Sequence, residues 1–354
     1  MITSTFSALL LFAVSGIIPP WQEDLDAVFD HWFEDNLPGV MLHIVEDGEV
    51  TYSQGYGMAD IERSIQHSPA MLFNLASVSK QFTAAAIALL ALDEQLDLDA
   101  DVRSILPYVP DYGHPISIRH LVHHTSGLPD ILGIMESQNL QFDNGWGNRD
   151  VLPLLQDIEQ LKFVPGEEFD YSNTNYILLA EIVGAVSGTT LRAFVDHRIF
   201  KPLGMTTARV DDDLHRIDDE NMVQSYKRVR GGYEKLVRDD FLVGDGNVVA
   251  SVSEFAIWSE NFSSGKVGGD AFIRLMTTPG KLNNGESTSY AFGIFVDEHA
   301  GKRCYIHGGS WLGYRCLWIY YPLQKTTLLI FCNHSRANLN QDEVAKIYFE
   351  SRSE

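Results

Sequence analysis

Basic residues are scarce in this sequence of 354 residues. Lysine and arginine total 26 against 48 aspartates and glutamates, which gives a formal net charge of −22 at pH 7. A surface this acidic repels polyanions, so the composition argues against nucleic acid or an anionic membrane surface as a partner. The same charge favours solubility and indicates no particular chemistry.

Cysteine is rare too, and Cys304, Cys316 and Cys332 all lie in apolar, strand-like segments. The sequence has neither a Cys-x-x-Cys pair nor histidines beside a cysteine at zinc spacing, so it implies no metal and no other cofactor. Buried free thiols are therefore predicted. A disulfide between two of the three is the alternative for an exported chain, and it leaves one thiol over.

No stretch of the sequence reaches the roughly 20 apolar residues that span a bilayer. Residues 8–14 form a short apolar block, and this resembles the hydrophobic region of a signal peptide within residues 1–20. A secretory leader carries a basic residue before that region, and this chain has none there. We predict a periplasmic or secreted protein, with a cytoplasmic location as the alternative.

A Ser-x-x-Lys motif, Ser77 to Lys80, precedes the apolar, alanine-rich run of residues 84–92. The run predicts a buried helix, and in a helix that begins near Ser77 the two side chains lie on one face. A lysine buried there can act as a base towards the serine, and the N–H groups of the helix start can face an oxyanion. The alternative is a serine that caps the helix, followed by a surface lysine.

A second stretch places Tyr171 and Asn173 in a turn before another apolar helix. The phenol can relay a proton and the amide can hydrogen-bond a carbonyl, if both point into one cleft. The alternative is a turn with a half-buried tyrosine.

A third stretch, His307-Gly308-Gly309-Ser310, follows an apolar strand. Paired glycines let a ligand approach the backbone closely, and the N–H groups of Ser310 and Ser77 could then form an oxyanion hole. The alternative is a glycine-rich strand end with an incidental histidine.

The order of elements predicts an α/β (α+β) fold in which an antiparallel sheet is flanked by helices. A helix over 21–36 and a hairpin over 39–56 with an Asp-Gly turn come first, and a strand meander over 291–331 and a helix over 342–351 come last. We expect a single catalytic domain over 21–354, with an α/β lobe at about 21–80 and 245–354. A mostly helical lobe at about 81–244 is inserted into it, and residues 211–213 and 230–232 are predicted to be exposed loop.

The three short motifs together resemble the serine β-lactamase-related family, near class C β-lactamases, family VIII esterases and penicillin-binding proteins. Further segments resemble that family in the same order along the chain. They are Gly55–Asp60, Leu121–Pro129 ("LLxHTSGLP"), Phe163–Asn173 ("FxPGxxxxYSN"), Ile199–Met205 ("IFxPLGM") and Gly244–Gly246 ("GxGG").

The resemblance implies a β-lactamase/transpeptidase-like fold and assigns roles to individual residues. Ser77 would be the acyl-forming nucleophile, Lys80 its partner base, Tyr171 the second general base and acid, and Asn173 a contact to the substrate amide. His307-Gly308-Gly309 stands where the family has Lys-Thr-Gly, and His123 and His124 are expected to be structural. The resemblance leaves open whether Lys80 or Tyr171 activates Ser77.

The histidine at 307 is a departure from the family motif. A lysine there carries a full charge for a substrate carboxylate, whereas histidine near pH 7 is mostly neutral, so we expect weak β-lactam turnover. A carboxylesterase acting on small esters is the leading hypothesis. A D-amino-acid-specific peptidase or carboxypeptidase, or a weak class C-like β-lactamase, is the alternative, and the substrate is a small ester, amide or peptide.

A hypothesis of another kind is a non-catalytic, penicillin-binding-like sensor that keeps the cleft without turnover. Filled catalytic positions argue against it, because a decayed site would be expected to lose Lys80 or Tyr171 first. The sequence does not predict the oligomeric state.

Overall fold

The computed structural model describes residues 19–30, 37–140, 145–213 and 219–352. The apolar block at 8–14, on which the prediction of export rests, lies outside these ranges. The helix predicted over 21–36 is found as α1 (Pro20–Val28), and residues 31–36 lie outside the description.

The remaining helices are short except for those at the centre of the molecule. They are α2 (Lys80–Leu92), α3 (Ile118–Val122), α4 (Ile131–Ser137), α5 (Asn148–Val151), α6 (Asn173–Ser187), α7 (Leu191–Val195), α8 (Lys201–Leu203), α9 (Val252–Ser264), α10 (Gly269–Met276) and α11 (Gln341–Glu350).

Most strands lie towards the two ends of the chain, and four lie between residues 209 and 251. They are β1 (Val40–Glu46), β2 (Glu49–Tyr56), β3 (Met58–Asp60), β4 (Ile65–Gln66), β5 (Leu72–Asn74), β6 (Arg209–Val210), β7 (Ser225–Val229), β8 (Gly232–Leu236), β9 (Val248–Ser251), β10 (Phe295–His299), β11 (Lys302–Trp311), β12 (Tyr314–Tyr321) and β13 (Thr326–Cys332).

One antiparallel sheet with the strand order β10-β11-β12-β13-β1-β2 organises the fold. Strand β1 lies inside it, paired with β2 through the predicted Asp-Gly turn and with β13 in a register that aligns Val40 with Cys332. The fold is therefore α/β with an antiparallel sheet, as predicted. The N-terminal hairpin thus joins the C-terminal meander in one sheet.

Both faces of this sheet are covered, which explains why β1 and β13 are apolar at nearly every position. Met41 and Phe331 face the large core that contains α2, whereas Leu42 and Ile330 face a smaller core with Leu25 of α1. Side chains of a strand alternate between its faces, so a strand buried on both sides loses the polar half of the pattern. The three cysteines are buried and free, which confirms the predicted thiols.

Most of the secondary structure in the segment 81–244 is helical, but the exposed loop predicted in it is wrong in part. Residues 230–231 form the exposed turn of a two-stranded hairpin, β7–β8, Gly232 begins β8, and Asp211 is buried rather than solvated. Arg238 forms an ion pair with Asp211 at 3.1 Å, which provides a partner for the buried carboxylate. The hairpin strands are polar and half-exposed, so they lack an apolar alternation.

One further boundary differs from the prediction. The strand expected from residue 291 begins at Phe295, because Gly293 adopts a φ of +73° in the turn that precedes it.

Among the described residues, no single helix has the length and apolarity to cross a membrane. The helical segments 173–187 and 191–203 have this length and apolarity only when taken together, and the chain bends by 74° between them.

Candidate active site

Ser77 and Lys80 lie side by side at the start of the central helix. A short 3₁₀ turn, Ala76–Ser79, carries the serine and runs directly into α2, whose first residue is the lysine. The Lys80 side chain is fully buried, and its Nζ lies 3.2 Å from Ser77 Oγ. The spacing of three residues therefore places both groups on one face, as predicted.

Three acceptors hold the Lys80 amine. Nζ donates to Ser77 Oγ, to Asn173 Oδ1 at 2.8 Å and to the backbone carbonyl of Asp245 at 2.7 Å. An ammonium group has three N–H donors, so these bonds use all of them. The amine is thereby fixed beside the Ser77 hydroxyl.

Tyr171 presents a hydroxyl with unused hydrogen-bonding capacity next to this pair. Its ring centroid is 5.0 Å from Lys80 Nζ, and it borders the same groove as Ser77. The hydroxyl oxygen is buried and has no hydrogen-bond partner among the described residues. Because a buried hydroxyl normally has a partner, this one is a strong candidate to meet a reacting group.

His124 holds the tyrosine ring from behind. The two rings are 4.3 Å apart, and His124 Nδ1 accepts hydrogen bonds from the Ser172 N–H and from Asn175 Nδ2. Burial, with the charge of Lys80, lowers the pKa of His124 well below its ordinary value, so the ring is neutral. His123 is buried as well and contacts the Tyr290 carbonyl through Nδ1. Both histidines therefore belong to the packing around the site.

Asn173 lies at the first position of α6 and uses both ends of its amide inside the protein. Its Oδ1 accepts from Lys80, and its Nδ2 donates to Asp130 Oδ2 at 2.8 Å. Asp130 in turn caps α4 by accepting from the Leu132 N–H. The structure thus gives Asn173 a role in holding Lys80, and the predicted contact to a substrate amide stays a prediction.

His307 is buried in β11 and is uncharged. Its Nδ1 lies 2.6 Å from the Gly308 carbonyl and its Nε2 lies 3.1 Å from the Tyr290 hydroxyl. Burial, reinforced by Lys80, lowers the pKa of His307 to about 3. The charge of the family's lysine is therefore absent at this position near neutral pH.

Gly309 lets strand β11 pass close to Ser77. A Cβ atom at this position would lie 2.4 Å from the Leu75 carbonyl oxygen and 3.0 Å from the Ser77 nitrogen, so only glycine fits without a shift. The next residue, Ser310, borders the same two cavities as Ser77. An oxyanion hole formed by the N–H groups of Ser77 and Ser310 stays a prediction that this arrangement favours.

Two cavities meet at Ser77 and Ser310. The smaller, of about 220 Å³, is called the acidic pocket, and the larger, of about 670 Å³, is called the outer groove. Besides the shared serines, the acidic pocket includes Leu132, Asn173, Asp240, Leu242, Asp245, Asn247 and Trp311. The outer groove includes Tyr171, Phe295, His307, Gly309, Arg315 and Leu339.

Asp240 is a site residue that the sequence did not reveal. Its Oδ1 accepts from Asn247 Nδ2 at 2.5 Å and its Oδ2 from Trp311 Nε1 at 3.1 Å. Burial raises the pKa of Asp240, although these two bonds oppose the shift. Asn247 Oδ1 also accepts a hydrogen bond from Asn74 Nδ2, and Asn74 Oδ1 accepts one from the Ala76 N–H. The network therefore reaches the residue that precedes Ser77.

Asp245 is the second acidic residue that was missed, although the turn Gly244–Gly246 had drawn attention as a family motif. Gly244 has a φ of +108°, and a Cβ there would lie 2.2 Å from the Tyr176 carbonyl oxygen. Thr83 Oγ1 donates to the Gly244 carbonyl at 2.7 Å, while Lys80 holds the carbonyl of Asp245. The motif therefore fixes the turn to α2, and its middle side chain is placed in the pocket wall.

Comparison with known proteins identifies the family. The family model described as Beta-lactamase matches residues 25–349. The chain belongs to the beta-lactamase family. Penicillin-binding protein 4* of Bacillus subtilis is 33% identical to this beta-lactamase-family chain over 338 residues, or 88% of this chain and 72% of the relative.

A second relative is named for an enzymatic activity. The D-aminopeptidase of Gluconobacter oxydans is 27% identical over 300 residues, covering 85% of this chain. The chain spans only 56% of that relative's length. The octameric penicillin-binding protein homologue from Pyrococcus abyssi superposes with a TM-score of 0.80 over 94% of this chain and 76% of its own, at 22% identity. This similarity confirms the β-lactamase-like fold that the sequence predicted.

Metal binding has no support at the site. Among the described residues, no group of three or more His, Cys, Asp or Glu side chains could hold a metal ion. Asp240 and Asp245 occupy one pocket but do not form such a group.

Proposed function

We propose that this beta-lactamase-family chain is a serine hydrolase that cleaves amide bonds of small amino-acid amides or short peptides. The reaction runs through an acyl-enzyme on Ser77. One observation carries the proposal: a buried lysine bonded to Ser77 Oγ lies beside Tyr171, whose buried hydroxyl has no partner among the described residues.

In the acylation step, Ser77 Oγ attacks the carbonyl carbon and its proton passes to the Lys80–Tyr171 pair. The C–N bond then breaks, and the departing amine takes a proton from the same pair. The Lys80 Nζ lies 5.0 Å from the Tyr171 ring centroid, so either group can begin the transfer. Water then hydrolyses the ester bond, releases the acid and restores the Ser77 hydroxyl.

The tetrahedral intermediate carries a negative charge that needs fixed donors. The close approach of Gly309 to Ser77 brings the backbone of Ser310 to the same point of the cleft. Two N–H groups aimed at one oxygen stabilise the charge without reorganisation during the reaction. We assign this role to the N–H groups of Ser77 and Ser310.

Two observations favour amides and peptides over β-lactams. The neutral His307 offers no charge to a β-lactam carboxylate, in contrast to the lysine of the family motif. The name of the Gluconobacter relative, D-aminopeptidase, supports peptide substrates and a D configuration. The D-peptidase hypothesis therefore takes precedence over the carboxylesterase that the sequence favoured.

A carboxylesterase remains the second candidate function. The same serine, lysine and tyrosine serve ester hydrolysis, in which an alkoxide departs more readily than an amine. Phe295 and Leu339 give the outer groove apolar surface next to the neutral His307. This surface favours small, uncharged alcohol leaving groups.

The decisive experiment is intact mass spectrometry after incubation with a fluorophosphonate probe. The parent chain is expected to gain one adduct and Ser77→Ala none, whereas the matched control Ser310→Ala, which changes the other serine of the cleft, keeps it. D- and L-amino-acid p-nitroanilides, p-nitrophenyl esters and nitrocefin then rank the substrates. A folded parent chain without an adduct would overturn the hydrolase and leave the non-catalytic binding protein.

A further inference from the structure

Asp245 has a buried carboxylate of which one oxygen lacks a hydrogen-bond partner among the described residues. The residue is only 8% exposed, borders the acidic pocket, and its Oδ1 has no hydrogen-bond partner among the described residues. Lys80 attracts it through space, but the N–H groups of that amine are directed to three other acceptors. Burying a carboxylate oxygen without a hydrogen-bond partner is costly, so the position suggests a role that needs the charge.

The rest of the acidic pocket adds negative charge and no positive charge. Asp240 borders it as well, and both of its oxygens accept from neutral groups of Asn247 and Trp311. Among the described residues that border the pocket, none is a lysine, arginine or histidine. The pocket therefore selects for a cation.

Size and position narrow the identity of that cation. The volume of about 220 Å³ equals roughly seven water molecules of liquid, which is room for one small amino-acyl group. Leu132, Leu242 and Trp311 supply an apolar wall for its side chain. Because Ser77 borders the pocket too, a cation bound here lies close to the carbonyl carbon that the serine attacks.

We propose that the acidic pocket binds the α-ammonium group of the acyl half of the substrate, with Asp245 as its counter-ion. In an amino-acid amide, the α-nitrogen is two bonds from the carbonyl carbon, so a carbonyl placed at Ser77 directs the ammonium group to the neighbouring wall. Asp240, held by its two donors, adds a second negative charge. This inference rests on the proposed function, and it predicts that the chain releases the amino-terminal residue of its substrate.

The proposal separates this site from other arrangements of the same machinery. An endopeptidase needs room for further residues on the acyl side, and the small acidic pocket does not offer it. N-acetylated substrates lose the charge and enlarge the group that must enter, so they are expected to be rejected.

A binding experiment tests the ammonium site without relying on turnover. In the Ser77→Ala protein, isothermal titration calorimetry compares D- and L-alaninamide with their N-acetyl derivatives. We expect the tighter-binding amine enantiomer to bind about tenfold to a hundredfold more tightly than its N-acetyl derivative, as for hydrogen bonds to a charged group. Adding Asp245→Asn is expected to abolish that difference.

Three further variants sharpen the result. Asp239→Asn removes the same charge from an exposed neighbour of the pocket and is expected to keep the preference for the amine. Asp245→Glu keeps the charge and should restore part of the preference. Should Asp245→Asn fail to give a native circular dichroism spectrum, Asp245→Ser removes the same carboxylate with a smaller side chain.

The outcomes of the two experiments are distinguishable. If amine and N-acetyl derivatives bind equally, or if Asp245→Asn keeps the preference, the ammonium site is overturned while labelling of Ser77 still supports the hydrolase. If Ser77 takes no fluorophosphonate but the amine preference depends on Asp245, the hydrolase fails and the ammonium site stands. In the active enzyme, kcat/KM for amine against N-acetyl p-nitroanilides should follow the binding ratio.

Discussion

The acidic pocket and the outer groove share one nucleophile but differ in charge and in how their residues are held. Asp240 and Asp245 dominate the pocket, which is small and tied by hydrogen bonds to the turn before α2. The outer groove is three times larger in volume, and Arg315 is its cation, since His307 is neutral. Arg315 is partly exposed and bonded to the Ser335 carbonyl at 3.3 Å.

The difference teaches that the two halves of a substrate are recognised unequally. Charges act most strongly where water is excluded, so the buried carboxylates are expected to discriminate sharply. The open groove with its solvated arginine discriminates weakly. Selection for the acyl half should therefore be strict, and a range of leaving groups should be accepted.

The largest effect is expected from a substitution beside Ser77, which borders both cavities. Lys80→Met replaces the buried amine by an apolar side chain of similar length, and it removes the base that is bonded to Ser77. We expect kcat/KM for amines, N-acetyl derivatives and esters alike to fall about 10²- to 10⁴-fold, the range for a general base.

The rate of fluorophosphonate labelling reports the same loss for Lys80→Met without a choice of substrate. Lys162→Met, which changes an exposed lysine paired with Asp170, is the matched control and should label at the parent rate. Unchanged labelling of Lys80→Met would assign the first proton transfer to Tyr171 alone.

The next effect concerns the acidic pocket and is one of stability. Burial raises the pKa of Asp245 from 3.8 to about 6, so the folded state binds this proton more tightly than the unfolded state does. The ionised carboxylate therefore destabilises the fold increasingly as the pH rises from about 4 to 6, and by about 3 kcal/mol above that. Asp245→Asn should raise the free energy of unfolding by this amount at about pH 8.

Urea unfolding followed by circular dichroism measures this gain for Asp245→Asn. The charges of Lys80, Asp240 and Asp130 also act on the pKa of Asp245. The change in the free energy of unfolding is therefore measured at several pH values and compared with the change for Asp239→Asn, which should stay near zero. The gain should disappear at acidic pH. A loss of stability at about pH 8 would show that the carboxylate is compensated in the free protein.

The smallest effect concerns the outer groove. Arg315→Gln removes its cation, and kcat/KM for a D-alanyl-D-alanine substrate should fall relative to D-alaninamide by at most about fivefold, as for exposed ion pairs. Arg303→Gln, an exposed arginine on β11, is the matched control. A loss of a hundredfold would instead place the leaving group's carboxylate in a tightly held site.

The parts of the site predicted from the sequence are those fixed by local geometry. Ser77 and Lys80 meet because they are three residues apart at a helix start, and Gly309 could be singled out because paired glycines end an apolar run. The hairpin around the Asp-Gly turn and the strands of the meander followed from periodicity for the same reason.

The acidic pocket could not be predicted, because it exists only through long-range packing. Asp240 and Asp245 stand among ordinary polar residues in the sequence, and the burial of their carboxylates depends on Trp311 and on α2. The β7–β8 hairpin was missed because its strands are polar on both faces. A pattern of apolar residues reveals which strands support a core, and it does not reveal polar strands at the surface or carboxylates drawn into a cleft.

The pairing of β1 with β13 has a consequence for how the molecule is made. Val40 is aligned with Cys332, so a strand near the start of the chain must wait for one synthesised near its end. Pairing across such a separation closes a very long loop and is slow, and the apolar β1 and α2 remain exposed in the meantime. The nucleophile thus emerges early from the ribosome but meets Asp245, His307 and Gly309 only late. Recovery of probe labelling after dilution from urea would therefore time the folding of the whole sheet rather than of the helix that carries Ser77.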